Sequence, residues 1–172
     1  NYDLLIKKLQ QLANSSKKIL LLGVSYALLD LVESHEFELP NMIIMETGGF
    51  ELPNMIIMET GGMKGRRKEM IREDLHKQLC QGFAVDVIHS EYGMTELLSQ
   101  AYSKGNGVFS CPPWMKILIR DSGAINIIDL ANLYSVSFLA TQDLGKKWEN
   151  GDFEVLGRFD NSDIRGCNLL VM

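Results

Sequence analysis

The first half of the chain alternates short apolar runs with segments that carry apolar residues at helical spacing. Positions 18–23 and 41–45 each consist of one polar residue followed by a continuous apolar run, of the kind that forms a buried strand. Leu4, Leu5, Leu9 and Leu12 recur at helical spacing. The pattern predicts helices at 2–12, 26–33 and 68–80 and strands at 18–23, 41–45 and 85–89. Strands that alternate with helices imply a parallel sheet with covering helices, the α/β class.

The second half changes character, because its apolar runs are short and are separated by turns instead of helices. Turn residues such as those at 121–123 lie between them. The runs predict strands at 115–119, 124–128, 137–140 and 153–156. We therefore expect an α/β nucleotide-binding part at residues 1–110. A smaller, mostly antiparallel β-rich part should follow at 111–172 and end at a hinge motif.

Composition fits one soluble globular domain. The chain has 172 residues, of which 46% are hydrophobic and 23% charged. A net charge of -5 argues against non-specific nucleic-acid binding. The longest apolar run, at 19–24, is too short to cross a bilayer. The cysteines and histidines are scattered, which predicts a reducing cytoplasm and no metal site built on histidine.

A perfect tandem copy interrupts this pattern. Residues 37–49 are repeated without a change at 50–62. Two units of this length do not make a solenoid, so we interpret the repeat as an artefact of the sequence record. A recent duplication is the alternative, with one copy as a loop or an added strand. The second copy runs directly into the following basic segment, so we expect it to be the functional one.

Residue types that can bind a nucleotide or a metal ion are concentrated just after the predicted strand at 85–89. Tyr92-Gly93-Met94-Thr95-Glu96 offers an aromatic face, a flexible backbone, a hydroxyl and a carboxylate. These groups can stack a base, approach a phosphate and hold Mg²⁺. Upstream, Thr60-Gly61-Gly62 follows a strand, where glycine permits close backbone approach to a ligand. The alternative interpretation is that each segment is an ordinary turn with no ligand.

Two further segments argue against the interpretation that these are only ordinary turns. They are Thr141-Gln142-Asp143 and, downstream, Gly157-Arg158-Phe159-Asp160. In this order the three motifs resemble the adenylate-forming superfamily, which contains the acyl-CoA synthetases. The family motifs are Tyr-Gly-x-Thr-Glu, Thr-Gly-Asp and Gly-Arg-x-Asp, so Gln142 replaces a glycine. The resemblance covers about residues 18–172.

The resemblance implies ATP or AMP and Mg²⁺ as cofactors, and a role for each motif residue. Tyr92 would stack on adenine, Thr95 would bind the α-phosphate and Glu96 would hold the metal. Asp143 would accept hydrogen bonds from both ribose hydroxyls, and Arg158 would contact the ribose or phosphate. The implied nucleotide-binding set also contains the glycines Gly61, Gly62 and Gly93, and the hinge is Asp160.

Within the superfamily the chain looks most similar to LuxE-type acyl-protein synthetases, relatives of the phenylacetate–CoA ligases. It stops at Met172, soon after the Gly-Arg-x-Asp motif. The phosphate loop that the family carries upstream is missing, which implies the C-terminal part of a longer protein. LuxE-type proteins carry an acyl group on a cysteine near the C terminus, and Cys167 is placed to match. A nearby Arg165 would favour its thiolate.

The implied function is activation of a carboxylic acid, fatty or aryl, as an acyl-adenylate, followed by transfer to a thiol or protein acceptor. A non-catalytic truncated nucleotide-binding domain is the main alternative. A serine hydrolase is a weaker one, because Gly23-Val24-Ser25-Tyr26-Ala27 approximates a nucleophile elbow. That fold needs a histidine late in the chain, and none follows His89.

Overall fold

The computed structural model describes residues 2–13, 15–34, 55–63, 65–68 and 70–159. The helices are α1 (Tyr2–Ala13), α2 (Ser25–Ser34) and α3 (Arg72–Phe83). The strands are β1 (Ile19–Val24), β2 (Met55–Thr60), β3 (His89–Tyr92), β4 (Ala101–Ser103), β5 (Val108–Ser110), β6 (Met115–Ile119), β7 (Ala124–Asp129), β8 (Phe138–Lys147) and β9 (Phe153–Arg158).

The described strands form one mixed sheet in the order β1-β2-β3-β4-β5-β9-β8-β7-β6. The pairs β1–β2 and β2–β3 are parallel, and the connections between these strands contain α2 and α3. The remaining pairs, from β3–β4 onward, are antiparallel. The predicted α/β class, a parallel sheet with helices followed by an antiparallel region, is confirmed.

Each half of the sheet packs its own apolar core. The first core joins the helices to the parallel strands, and its fully buried members include Leu29, Ile57, Leu79 and Phe83. The second core lies in the antiparallel region, with buried residues that include Tyr92, Leu97, Ala101, Phe109, Met115, Ile117, Ile125, Ile127, Phe153 and Val155. Ile88, directly before β3, belongs to the first core, and Tyr92, at the end of β3, belongs to the second. The candidate motif that begins at Tyr92 therefore lies where the two cores meet.

Three predicted boundaries were wrong. The strand expected at 85–89 begins at His89 and ends at Tyr92, so Tyr92 belongs to the strand and does not follow it. Its register explains the shift: His89, Ser90 and Glu91 pair with the last residues of β2. The helix expected at 68–80 begins at Arg72. Strand β8 is longer than predicted and includes Asp143.

The tandem copy is only partly inside the described residues. The second copy supplies β2, which pairs with β1 on one side and β3 on the other. The strand predicted at 41–45 in the first copy lies outside the described residues.

Candidate functional site

The carboxyl ends of β2 and β3 lie side by side, because the two strands are parallel neighbours. Ligands of open α/β sheets bind at this edge. Thr60 ends β2 and donates its hydroxyl to Glu91 of β3 at 3.3 Å. Gly61 follows with φ +61°, a left-handed conformation that disfavours a side chain. A Cβ on Gly93 would lie 2.9 Å from Gln100 Cγ, so a larger residue there would require the Gln100 side chain to move.

Three of the sequence-predicted residues meet around one carboxylate. The Tyr92 hydroxyl donates to Asp143 Oδ2 at 2.8 Å, and Arg158 Nε lies 3.3 Å from Asp143 Oδ1. Asp143 and Arg158 face each other across the β8–β9 pair. Tyr92 comes from β3, 51 positions earlier in the chain. Residues from three motifs that are far apart in sequence therefore meet in the fold. We call the side chains of Tyr92, Asp143 and Arg158 the Asp143 cluster.

The Tyr92 ring is held by two other aromatic rings. Its centroid lies 6.0 Å from that of Phe109 and 5.4 Å from that of Phe153, the latter edge-on. The residue is 3% exposed. The ring therefore positions its hydroxyl rigidly toward Asp143. Stacking of Tyr92 on adenine stays a prediction.

Asp143 has an unusual electrostatic environment. Burial raises the pKa of its carboxyl above the ordinary aspartate value, although the Tyr92 hydroxyl and the Arg158 guanidinium act against that rise. A half-buried carboxylate with two fixed donors is preorganised as an acceptor for further hydroxyl groups.

The backbone around Asp143 accommodates Gln142 without strain. Gln142 has no positive φ and extends β8, and its carbonyl accepts from the Phe159 amide at 3.0 Å. The Gln142 side-chain oxygen lies 3.5 Å from Arg158 Nη2. The register of β8 against β9 shifts between Leu144 and Gly145, directly after Asp143. Bulges of this kind turn neighbouring side chains out of the regular alternation.

The loop between β3 and β4 carries Thr95 and Glu96, and both residues are exposed. A turn closes the loop, in which the Leu97 amide donates to the Met94 carbonyl at 3.0 Å. The Glu96 backbone carbonyl accepts from Asn132 Nδ2 at 2.8 Å, and Glu96 itself is exposed to solvent.

The Glu96 carboxylate is a suitable oxygen ligand for Mg²⁺. Within the described residues, no group of three or more His, Cys, Asp or Glu side chains is arranged to hold a metal ion by itself. Mg²⁺ is usually held by one or two carboxylates together with substrate phosphates and water. A single exposed glutamate fits that mode of binding, in which the metal arrives with a nucleotide.

Ser25, the candidate nucleophile of the hydrolase alternative, lies in a buried polar cluster. It begins α2, is 1% exposed, and donates its hydroxyl to Glu59 Oε2 at 2.8 Å. His76 Nε2 approaches the other oxygen of Glu59 at 3.6 Å, and Ser90 Oγ lies 3.4 Å from the same nitrogen. The histidine therefore does not contact Ser25. A buried hydroxyl that donates to a carboxylate is not presented to a substrate.

Two cysteines lie within the described residues. Burial raises the pKa of the Cys80 thiol, and the nearby charge of Asp86 adds to the effect. Burial also raises the pKa of Cys111 to about 11. Both thiols are therefore protonated and weakly nucleophilic near neutral pH. Cys167 and Asp160, the predicted acyl carrier and hinge, lie outside the described residues, and so does Arg165.

Sequence reasoning missed two buried acids that support the site. Glu59 is 6% exposed on β2, next to Thr60, and Asp129 is fully buried at the end of β7. The burial pattern of β2 places Glu59 in phase with the buried Ile57, and Asp129 is likewise in phase with Ile127. An acidic residue at a buried position of an apolar strand is a signal that the sequence contains.

No protein-family model matches the sequence, and no curated protein matches it significantly. Solved structures do match. A variant of coronafacic acid ligase from Pectobacterium brasiliense has a TM-score of 0.64 at 17% identity, over 92% of this chain and 32% of the ligase. O-succinylbenzoate coenzyme A synthetase from Bacillus subtilis, solved in complex with AMP, has a TM-score of 0.55 at 18% identity. That match covers 94% of this chain and 43% of the synthetase.

ATP-bound MatB from Rhodopseudomonas palustris is similar as well, with a TM-score of 0.54 at 16% identity, over 92% of this chain and 33% of MatB. At these identities the comparisons establish the fold. This chain spans about a third of the length of the first two structures it matches, both of coronafacic acid ligase. The chain shares its fold with a part of each of these ligases.

Proposed function

We propose that this chain is the part of an adenylate-forming enzyme that binds ATP and activates a carboxylic acid. The observation that carries the proposal is the Asp143 cluster, in which a half-buried carboxylate is fixed by Tyr92 and Arg158. Two adjacent hydroxyls of a ribose match a carboxylate with two acceptor oxygens. The structural neighbours include proteins solved with AMP and with ATP, which supports a nucleotide as the ligand.

The proposed reaction has two steps. A carboxylate oxygen of the acid attacks the α-phosphorus of ATP, and the bond to the bridging oxygen breaks to release pyrophosphate. A thiolate then attacks the acyl carbon, and AMP leaves. Asp143 and Arg158 hold the ribose, and Thr95 donates to the α-phosphate. Mg²⁺, held in part by Glu96, would neutralise the charge that develops on the phosphates.

We further propose that the enzyme is of the LuxE type, so that a protein cysteine accepts the acyl group before a final acceptor collects it. The substrate would be a fatty or aryl acid, and the location cytoplasmic. None of the helices in the described ranges is both long and apolar enough to cross a bilayer. The division into parts at 1–110 and 111–172 stays part of this proposal.

Pyrophosphate exchange tests the proposal directly. The protein expressed from its full reading frame, with Mg²⁺ and a panel of fatty and aryl acids, is expected to exchange labelled pyrophosphate into ATP. AMP binding without exchange would favour the alternative of a non-catalytic nucleotide-binding domain. Labelling of Ser25 by a fluorophosphonate would instead support a hydrolase, although the burial of Ser25 argues against it.

Replacing Glu96 with glutamine should impair turnover more than nucleotide binding. The change keeps the size of the side chain and removes the charge that we assign to Mg²⁺. We expect pyrophosphate exchange to fall about tenfold or more, while AMP affinity measured by calorimetry stays within about threefold. Glu149→Gln, an exposed position in the β8–β9 turn, is the matched control. Equal losses in exchange and AMP affinity would remove the metal assignment.

Cys167 should be the most reactive thiol of the chain. Because the pKa values of Cys80 and Cys111 are raised by burial, these two residues hold little thiolate at neutral pH. We expect Cys167 to react with iodoacetamide at least about tenfold faster than either, measured by mass spectrometry of the digested protein.

The acyl-carrier role of Cys167 has a separate test. With ATP, Mg²⁺ and a labelled fatty acid, label should appear on Cys167 and be released by hydroxylamine. Cys167→Ser should still exchange pyrophosphate while losing the labelled protein. Undiminished label on that variant would contradict the role, and transfer to a diffusible thiol would then be the better account.

A further inference from the structure

The loop that carries Thr95 and Glu96 is tied to β7 by an acidic side chain that is fully buried. Asp129 Oδ2 accepts from the backbone amides of Leu98 and Ser99, each at 2.9 Å. Asp129 Oδ1 accepts from Ser99 Oγ at 2.7 Å and from the Ala131 amide at 3.1 Å. Both oxygens of the carboxylate are therefore occupied by donors, and three of these four bonds go to the loop.

Neighbouring residues extend the same contact in two directions. Asn132 Nδ2 donates to the Glu96 carbonyl at 2.8 Å, and the Asn132 amide donates to the Asp129 carbonyl at 3.1 Å. On the other side, Trp114 Nε1 donates to Ser99 Oγ at 2.9 Å. The loop is held along 96–99, directly after Thr95, by groups from β7, the turn that follows it and the segment before β6.

The charge state of Asp129 suits this task. Burial alone would raise the pKa of its carboxyl, but the hydroxyl and amide of Ser99 and the amides of Leu98 and Ala131 outweigh that effect. They hold the pKa of Asp129 below the ordinary value. A carboxylate that stays ionised accepts charge-assisted hydrogen bonds, which are shorter and stronger than neutral ones.

We propose that Asp129 is a positioning residue of the proposed nucleotide site, acting together with Asn132 to fix the loop that presents Thr95 and Glu96. The functional part of this inference rests on the proposed function. Asp129 itself touches no substrate, and it acts through the backbone of the loop. Because the loop is held in this way, the Glu96 carboxylate meets a metal–nucleotide complex from a fixed direction. The entropic cost of ordering the loop is then small when the complex binds.

Asp129→Asn is the decisive variant, with Asp152→Asn as its matched control. Asparagine keeps only one acceptor oxygen. Its side-chain NH2 group is itself a donor, so it would face the amide and hydroxyl donors around this position without an acceptor. Asp152 is a half-buried aspartate outside the proposed site that accepts from Ser110 and Asn150 in the β8–β9 region. In the protein from the full reading frame, we expect hydrogen exchange at the Leu98 and Ser99 amides to accelerate at least about tenfold in Asp129→Asn only.

The catalytic consequence is read from the metal dependence. In Asp129→Asn, the Mg²⁺ concentration for half-maximal pyrophosphate exchange should rise about tenfold, while AMP affinity stays within about threefold. A merely structural loss would lower the amount of active protein without moving the Mg²⁺ dependence. An unchanged Mg²⁺ dependence with accelerated amide exchange would overturn the positioning role.

A second variant keeps the proposal falsifiable if Asp129→Asn does not fold. Asn132→Ala removes the bond to the Glu96 carbonyl and should raise the Mg²⁺ requirement about threefold. An unaltered requirement there would overturn the proposal. If the wild-type protein exchanges no pyrophosphate, the proposed function fails, and the assigned role of Asp129 in it fails too. Amide exchange still decides whether Asp129 holds the loop.

Discussion

Replacing Asp143 with alanine is expected to weaken AMP binding by about 2–4 kcal/mol. The change removes the acceptor that we assign to both ribose hydroxyls. It also leaves the Tyr92 hydroxyl and the Arg158 guanidinium without the partner they have at 2.8 Å and 3.3 Å. Titration calorimetry with AMP on the protein from the full reading frame measures the effect.

Two variants separate the ribose contact from the support around it. Tyr92→Phe keeps the ring packed against Phe109 and Phe153 and removes only the hydroxyl that donates to Asp143. We expect it to cost about 0.5–1.5 kcal/mol of AMP affinity. Asp152→Ala is the matched control at a half-buried aspartate outside the Asp143 cluster and should leave AMP affinity unchanged. If Asp143→Ala binds AMP as tightly as the wild type, the ribose assignment is wrong.

The parts of the fold that could be predicted are those in which apolar residues decide the structure. Strands β1, β6, β7 and β9 were all predicted within about two residues, because continuous or alternating apolar side chains fill one of the two cores. Strand β3 contains His89, Ser90 and Glu91, which carry no such pattern. It forms a strand because its backbone pairs with the end of β2. That reason lies in tertiary structure and is absent from the local sequence.

Strands β4 and β5 were missed for a related reason. Each has three residues, and they bridge the parallel part of the sheet to β9. Segments this short give too few positions to show a periodicity. Their pairing depends on the chain on either side, so only the folded structure reveals them.

The candidate site also has a part that the sequence predicted and a part that only the folded structure reveals. The motifs in their family order picked out Tyr92, Asp143 and Arg158, and the structure brings them together. Nothing in the spacing of these residues predicted the contact. It requires the β8–β9 register and the aromatic packing that aims the Tyr92 hydroxyl. The roles assigned to these residues stay predictions until binding is measured.

The second large effect expected concerns stability and comes from Glu59. Glu59→Ala should lower the free energy of unfolding by about 2–4 kcal/mol. The carboxylate is 6% exposed and joins α2, β2, β3 and α3 through Ser25, Ser90 and His76. Without it, the buried Ser25 hydroxyl loses its acceptor. Glu91→Ala removes a half-buried acid from the adjacent strand and should cost less than about 1 kcal/mol, as measured by urea unfolding.

The pH dependence of the same quantity identifies its electrostatic origin. Burial opposes ionisation of Glu59, but hydrogen bonds from His76, Ser90 and Ser25 outweigh it and hold the pKa below the ordinary value of 4.5. A folded-state pKa below the unfolded one means that the stabilisation is present above pH 4.5. It is lost as pH falls through the lower, folded-state pKa. The difference in unfolding free energy between wild type and Glu59→Gln should therefore shrink as the pH drops below 4.5. A difference that stays constant from neutral to acidic pH would show that Glu59 stabilises the fold by packing alone.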